Sequence, residues 1–193
     1  MASRTEQIMI KAARAGGQIA KKYFEHNLKR HEKSGAADVH TRADIEAEKK
    51  IIGILYREFP KYNIEAEETG KKDNGSPNTF VIDPIDGTDN FTLGISYFSA
   101  AVVLLKKREP IFAVVFNPIT KDLYTAAQDR GTYKNGKRLK VSTRKKVQGS
   151  VVAYVSGYDN ETKLRPQVMH GLYHKDVGRV LDNWCPTLDY CLL

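Results

Sequence analysis

Three carboxylates fall within seven residues of one another in the segment DPIDGTDNF, which directly follows the apolar run Phe80 to Ile82. Pro84 fixes its own φ angle, so the sequence predicts a turn that brings Asp83 and Asp86 to one point with the Ile85 carbonyl. A cluster made only of oxygen ligands suits a hard cation such as Mg²⁺ or Mn²⁺ rather than zinc. The segment therefore predicts a divalent metal site at the end of a strand.

The same segment also has backbone amides suited to an anion. Gly87 allows the main chain to come close to a ligand, and the amides of Gly87 and Thr88 would face an anion if a helical turn begins there. A divalent cation beside such amides forms a phosphate site. The alternative is a turn that is only rich in turn-forming residues.

Two further acidic positions lie upstream of this segment. Glu67 and Glu68 follow a short apparent strand, and for an isolated Glu-Glu pair a solvated, charge-rich loop is the favoured explanation. Asp44 stands three residues after Thr41, ahead of an apolar-periodic run. This spacing also matches a helix capping box, in which the two side chains bond exposed backbone amides.

The predicted secondary structure that positions these residues changes along the chain from helices to short strands. Apolar residues at steps of three and four predict a helix from Ser3 to about Asn27, and a second from Thr41 to Pro60. Short β-rich runs joined by tight turns then favour antiparallel hairpins: Phe80 to Asp83, Ser99 to Leu105, Ile111 to Phe116, Leu123 to Ala127 and Val151 to Val155. A helix around Val168, a strand at 177–181 and a helix from Thr187 complete the prediction. The order indicates an α+β or layered α/β fold.

Composition excludes several classes of protein. The chain has 193 residues, of which 41% are hydrophobic, so it can bury a core and is not a disordered or collagen-like chain. Its two cysteines are too few for a disulfide framework, and no stretch matches a signal peptide or a membrane span. We expect a cytoplasmic protein that does not bind membranes.

The net charge of +8 is concentrated in one stretch. Eight lysines and arginines and no acidic residue lie between Arg130 and Lys146. This stretch could contact a nucleic-acid backbone, although its single aromatic residue, Tyr133, provides no stacking platform. A solvated basic hairpin is the favoured interpretation, with steering of anionic substrates as a milder functional one.

Together the acidic motifs resemble those of the inositol monophosphatase family of metal-dependent, lithium-sensitive phosphatases. The order and spacing of three motifs agree: Asp38, Thr41 and Asp44; Ala66, Glu67 and Glu68; and the segment Asp83 to Phe91. The resemblance implies a layered αβαβα sandwich, a homodimer, and hydrolysis of a small phosphorylated sugar, inositol or nucleotide with two or more Mg²⁺ ions.

The resemblance also implies roles for individual residues. Glu67, Asp83 and the Ile85 carbonyl would hold one Mg²⁺, and Asp83 and Asp86 a second. Asp44, Glu67 and Thr88 would be catalytic, with Asp44 and Thr88 helping to deprotonate the attacking water. Asp86 and the amides of Gly87 and Thr88 would bind the substrate.

The sequence departs from the family pattern in its C-terminal part. It has no Trp-Asp-x-Ala-Ala-Gly motif, and Trp184-Cys185-Pro186 stands where the family usually has a Gly-Ser-Ala that lines the substrate pocket. Trp184 could equally be a core residue. We expect residues 1–148 to carry the metal site and 149–193 to begin a second layer that is incomplete, as in the N-terminal portion of a longer phosphatase.

Two classes of function are consistent with these residues. The first is Mg²⁺-dependent hydrolysis of an inositol monophosphate-like ester, with fructose 1,6-bisphosphate and 3′-phosphoadenosine 5′-phosphate as alternative substrates. The second is a non-catalytic, basic RNA-binding protein that keeps the fold.

Overall fold

The computed structural model describes residues 2–26, 30–34, 38–155 and 164–193. The helices are α1 (Arg4–Phe24), α2 (Arg42–Glu58), α3 (Thr88–Thr92), α4 (Leu164–His174) and α5 (Pro186–Leu192). The strands are β1 (Arg30–Ser34), β2 (Asp38–Thr41), β3 (Asn63–Ala66), β4 (Gly70–Lys72), β5 (Asn78–Asp86), β6 (Ser99–Lys106), β7 (Glu109–Phe116), β8 (Leu123–Ala127), β9 (Gly131–Lys134), β10 (Lys137–Arg138), β11 (Val151–Ala153) and β12 (Arg179–Leu181). The predicted mixed α/β class is confirmed. The side chains of Asp38 and Thr41 lie outside the described part, so the capping role of Thr41 stays a prediction.

An eight-stranded sheet forms the centre of the fold, in the order β10-β9-β8-β7-β6-β5-β3-β4. Its neighbouring strands are antiparallel except for β3 and β5, which are parallel. Side chains on one face, including Phe80, Val102 and Val114, are buried against α1 and α2. The parallel pair places the carboxyl ends of β3 and β5 side by side, and these ends carry Glu67 and Asp83 to Asp86.

Helix α1 approaches the rest of the fold through small residues. A Cβ atom on Gly16 would lie 2.6 Å from Ile51, and one on Gly17 would lie 2.8 Å from Phe116. The sequence pattern predicts an apolar stripe of Ile8, Ala12, Ala15, Ile19 and Tyr23, of which Ala12 is fully buried and the other four are half-buried. The buried face consists of Glu6, Met9, Ala12, Ala13, Gly16, Gly17 and Ala20. Close packing favours small side chains at the centre of the contact, while the larger isoleucines flank it.

The strand β5 does not end at Pro84, which corrects the predicted turn. It continues to Asp86, and Asp83 pairs with Ala101 while Asp86 pairs with Ser99. Three steps on β5 thus oppose two steps on β6, which defines a β-bulge. Proline is tolerated at such a bulge because it has no amide to donate to the ladder. The bulge turns the two aspartates toward the end of the sheet.

A smaller unit follows the main sheet. Strands β11 and β12 pair in parallel, and α4 lies between them in the sequence. Residues of α5 and its N-terminal flank, Cys185 and Leu188, pack with Tyr124 of β8. The division of the chain near residue 149 into two domains stays a prediction. None of the helices in the described ranges has the length and apolar character needed to span a bilayer.

Candidate metal and phosphate site

A cavity of about 150 Å³ opens at the carboxyl end of β5. Six of the residues around it are those that the sequence predicted: Glu67, Asp83, Ile85, Asp86, Gly87 and Thr88. The remaining residues come from later in the chain: Tyr154, Val155, Asp182, Trp184, Pro186 and Asp189. The fold therefore brings together the glutamate motif and the aspartate motif, which are sixteen residues apart between Glu67 and Asp83.

Asp83 is a carboxyl group of this cavity whose pKa is raised. Its burial, together with the negative charges of Glu67, Asp86 and Asp44, raises its pKa well above the ordinary value. One of its oxygens, Oδ1, is buried and accepts no hydrogen bond within the described part of the chain. A carboxyl group in this situation is stabilised by a proton or by a cation.

Asp44 lies behind the cavity rather than in its lining. It is in the first turn of α2 and is 1% exposed. Its charge nevertheless contributes to the raised pKa of Asp83, so the two carboxyl groups are close in space. The fold thus places the third predicted acidic motif at the same site.

Asp86 is fixed by residues from the start of α5. Its Oδ2 accepts hydrogen bonds from the Thr187 amide at 2.7 Å, from the Thr187 hydroxyl, and from the Cys185 thiol at 3.1 Å. Burial and the charge of Asp86 raise the pKa of Cys185 above its ordinary value, so the thiol stays protonated and donates. Sequence reasoning missed Thr187, and about one hundred residues separate it from Asp86, so no local pattern indicated the contact.

Glu67 is exposed and lies at the end of β3. The loop that follows it is held by Glu48 of α2, a fully buried carboxylate that accepts from the amides of Glu68 at 2.7 Å and Thr69 at 2.8 Å. Sequence reasoning also missed Glu48. The available signal was an acidic residue on the same helix face as the buried Ile51 and Leu55.

The turn after Asp86 requires glycine. Gly87 has φ +89°, and a Cβ there would lie 3.1 Å from both the Tyr97 carbonyl oxygen and the Cys185 Cβ. Helix α3 begins at the next residue, and Phe91 anchors it in a cluster with Phe24 and Phe98. The backbone at Gly87 therefore packs closely against Tyr97 and Cys185, and it also lines the cavity.

Thr88 donates its hydroxyl to the Ile85 carbonyl oxygen at 2.9 Å. The Ile85 carbonyl is a predicted metal ligand and Thr88 a predicted catalytic residue, and the hydrogen bond between them is compatible with both roles. A carbonyl oxygen has two lone pairs, so it can accept from Thr88 and still bind a cation. The Thr88 oxygen, having used its proton, presents lone pairs to a donor such as water.

The donor set fits a hard divalent cation by its chemistry. Within the described ranges, no three acidic, histidine or cysteine side chains are already arranged to enclose an ion. However, Asp83 hydrogen bonds Glu67, and two carboxyl groups this close need a shared proton or a cation between them. The buried Asp83 oxygen and the oxygen-only ligands both favour the cation.

The model of the inositol monophosphatase family matches residues 1–193. The chain belongs to the inositol monophosphatase family. Six residues of the motifs that suggested this resemblance line the cavity, and Asp44 lies behind it.

Individual members of the family show how far the similarity extends. The protein named Nus factor SuhB from Haemophilus influenzae is 36% identical over 148 residues, which is 76% of this chain and 55% of that protein. The fructose-1,6-bisphosphatase/inositol-1-monophosphatase of Aquifex aeolicus is 31% identical over 186 residues, covering 94% of this chain and 70% of the enzyme. The crystal structure of the extragenic suppressor protein SuhB from Bartonella henselae superposes on this chain with a TM-score of 0.91 at 28% identity. The superposition covers 97% of this chain and 73% of the SuhB chain. The chain thus spans about half to three quarters of the length of these relatives.

Proposed function

We propose that this chain forms the metal and phosphate site of a Mg²⁺-dependent phosphatase that hydrolyses a small phosphate monoester. The observation that carries the proposal is Asp83, a buried carboxyl group with a raised pKa, between Glu67 and Asp86 and beside the Gly87 turn. Family membership and the names of relatives support a phosphatase.

In this proposal Glu67, Asp83 and the Ile85 carbonyl bind one Mg²⁺, and Asp83 and Asp86 bind a second. When bound, Mg²⁺ lowers the pKa of water and neutralises charge on phosphate oxygens. Thr187 and Cys185 donate hydrogen bonds to Oδ2 of Asp86, and these bonds fix the orientation of the carboxylate. In the proposal its other oxygen, Oδ1, is the one that binds the cation. Mn²⁺ could replace Mg²⁺ at oxygen ligands, and family-like behaviour would include inhibition by Li⁺.

The chain itself supplies orientation and proton transfer. The amides of Gly87 and Thr88 bind the phosphate at the start of α3. The Thr88 oxygen accepts a hydrogen bond from the attacking water, and the buried Asp44 carboxylate lies close enough to the acidic centre to take part in removing the proton. The reaction is a direct displacement by water, with no phosphoryl group attached to the protein.

The family resemblance favours inositol monophosphate or a similar phosphorylated sugar as the substrate. The Aquifex relative is named for both fructose 1,6-bisphosphate and inositol 1-phosphate, and the metal ligands do not distinguish them. Phosphoadenosine phosphate remains the third alternative. A homodimer and a cytoplasmic location complete the proposal.

A second candidate function is non-catalytic binding of RNA. It is favoured by the relatives named Nus factor and by the basic stretch, in which six cations are exposed: Lys137, Arg138, Lys140, Arg144, Lys145 and Lys146. Two others are neutralised, since Arg130 pairs with Glu6 and Lys134 pairs with Asp122 at 2.8 Å. The exposed charges are compatible with RNA but also with a solvated surface.

One substitution separates the two candidates. We expect the wild-type chain to release phosphate with Mg²⁺, to be inhibited by Li⁺, and to lose at least about 99% of its activity in Asp86→Asn, since a metal ligand is altered. Colorimetric phosphate release on inositol 1-phosphate and fructose 1,6-bisphosphate measures this. Salt-sensitive RNA binding that survives Asp86→Asn, without turnover by wild type, would instead establish the binding protein.

Thr187→Val tests the orientation of Asp86 with a nearly isosteric side chain. It removes the hydroxyl donor but keeps the amide, so we expect Mg²⁺ affinity to fall about tenfold. Calorimetric titration with Mg²⁺ gives the affinity directly. Thr120→Val, in an exposed turn, should leave it unchanged. Equal affinities for wild type and Thr187→Val would show that Thr187 does not orient a metal ligand.

A further inference from the structure

Trp184 is the single tryptophan of the sequence, and it is not a core residue. It is 41% exposed, which excludes the alternative that it is buried in the core. It lines the acidic cavity together with Pro186, and it also lines a neighbouring cavity of about 550 Å³. A large aromatic side chain therefore stands at the border between the phosphate site and the space next to it.

The backbone around Trp184 is held on both sides. The backbone carbonyl of Asn183 accepts from the side-chain amide of Asn90 at 2.6 Å, the side-chain amide of Asn183 donates to Asp189 at 2.7 Å, and Cys185 is fully buried. Trp184 itself has φ +55°, a left-handed conformation that is unfavourable for a side chain of this size. Strain and apolar exposure together, next to a site, are typical of a residue placed for function rather than for stability.

The residues that follow Trp184 offer few hydrogen-bond donors to a ligand. Pro186 has no amide hydrogen, and the Cys185 thiol donates to Asp86. The amide and hydroxyl of Thr187 also donate to Asp86. A sugar or polyol that covered the indole of Trp184 and Pro186 would lose hydrogen bonds to water without replacing them on that face, although carboxylates such as Asp182 line the same cavities beside it. A ligand with a planar aromatic ring would not incur this cost, because the face of the ring makes few hydrogen bonds to water.

We propose that Trp184 is a stacking platform that selects phosphate monoesters whose alcohol portion carries a planar aromatic ring, such as a nucleoside, over polyol phosphates. The phosphate lies at the Gly87 turn, and the ring system lies on the indole at the border of the second cavity. The proposal rests on the proposed function for the position of the phosphate, and it changes the favoured substrate from a polyol to an aromatic alcohol.

The single tryptophan makes the contact directly observable. AMP and ribose 5-phosphate share a phosphate and a ribose and differ by the base. We expect AMP to quench the intrinsic fluorescence of the wild-type chain, after correction with free N-acetyltryptophanamide, and ribose 5-phosphate to leave it nearly unchanged. Calorimetry of AMP binding to Trp184→Ala and Trp184→Phe tests the same contact, with about a tenfold loss in the first and most affinity kept in the second.

The control is Tyr173→Ala, an exposed aromatic residue of α4 outside both cavities, which should bind AMP as wild type does. Equal quenching by the two phosphates, or unchanged AMP affinity in Trp184→Ala, overturns the proposal. If AMP quenches but no ester is hydrolysed with Mg²⁺, the stacking platform stands and the phosphatase fails. If esters are hydrolysed without preference for AMP, the phosphatase stands and the platform fails.

Discussion

Asp83→Asn is expected to reduce Mg²⁺-dependent phosphate release by more than about 100-fold. Asp83 is the residue shared by both proposed metal positions, and even partners outside the metal ligands change affinity or activity by about 10–100-fold. An amide keeps the shape of the side chain but removes the negative charge that binds the cation. Steady-state phosphate release across a range of Mg²⁺ concentrations measures the loss.

The same substitution is expected to stabilise the chain when no metal is present. In wild type the buried Asp83 carboxyl group faces Glu67 and Asp86, and ionising it there is unfavourable. Asparagine is neutral without taking up a proton, so thermal unfolding in EDTA at neutral pH should move upward, by about 2–4 °C for each kcal/mol in a domain of this size. Added Mg²⁺ should stabilise wild type and leave Asp83→Asn nearly unchanged.

The difference in stability should depend on pH. Because the pKa of Asp83 is raised in the fold, the folded chain binds more protons than the unfolded chain. Its contribution to stability is therefore complete below the unfolded pKa of about 3.9 and is lost as the pH rises through the raised folded pKa. Metal-free wild type should lose stability over this range faster than Asp83→Asn.

Asp129→Asn is the matched control, because Asp129 is exposed and has a left-handed conformation that asparagine tolerates. It should change neither the activity nor the unfolding temperature in EDTA. An Asp83→Asn variant that is inactive and also less stable without metal would contradict the explanation, since the loss would then reflect damage to the fold.

The site was predictable from sequence where its residues are contiguous. Asp83, Ile85, Asp86, Gly87 and Thr88 lie on one bulged strand and the turn after it, so their spacing reveals their proximity. Glu67 joins them through the parallel pairing of β3 with β5, which the local pattern did not predict, and only the family resemblance assigned it to the site. The contacts within β5 and the following turn are the ones that a local pattern indicates.

The groups that hold the site in place were not predictable in the same way. Thr187 reaches Asp86 across about one hundred residues, and Glu48 reaches Glu68 from a helix twenty residues earlier. Helix α1 shows the same limit, because its buried face depends on how closely Ile51 and Phe116 approach. Tertiary packing decides such contacts, and periodicity in one segment does not contain that information.

Glu48→Gln is expected to have the second largest effect, even though Glu48 does not line the cavity. The two carboxylate oxygens each accept one backbone amide, and glutamine has only one acceptor oxygen. Its NH₂ group would face an amide N–H, leaving a buried donor unsatisfied at a cost of about 1–3 kcal/mol. The affected amides, of Glu68 and Thr69, immediately follow Glu67, so we also expect Mg²⁺ affinity to fall about 10–100-fold.

Glu58→Gln provides the comparison on the same helix. Glu58 is exposed and pairs with Arg4 at 2.8 Å, a surface contact whose loss changes stability by at most about 1 kcal/mol. Chemical denaturation and calorimetric Mg²⁺ titration should therefore separate the two variants in both measurements. A Glu48→Gln variant that loses stability but binds Mg²⁺ as tightly as wild type would show that Glu48 supports the fold alone. Weakened Mg²⁺ binding at unchanged stability would instead indicate that the two amides find other partners and that Glu67 shifts as they do so.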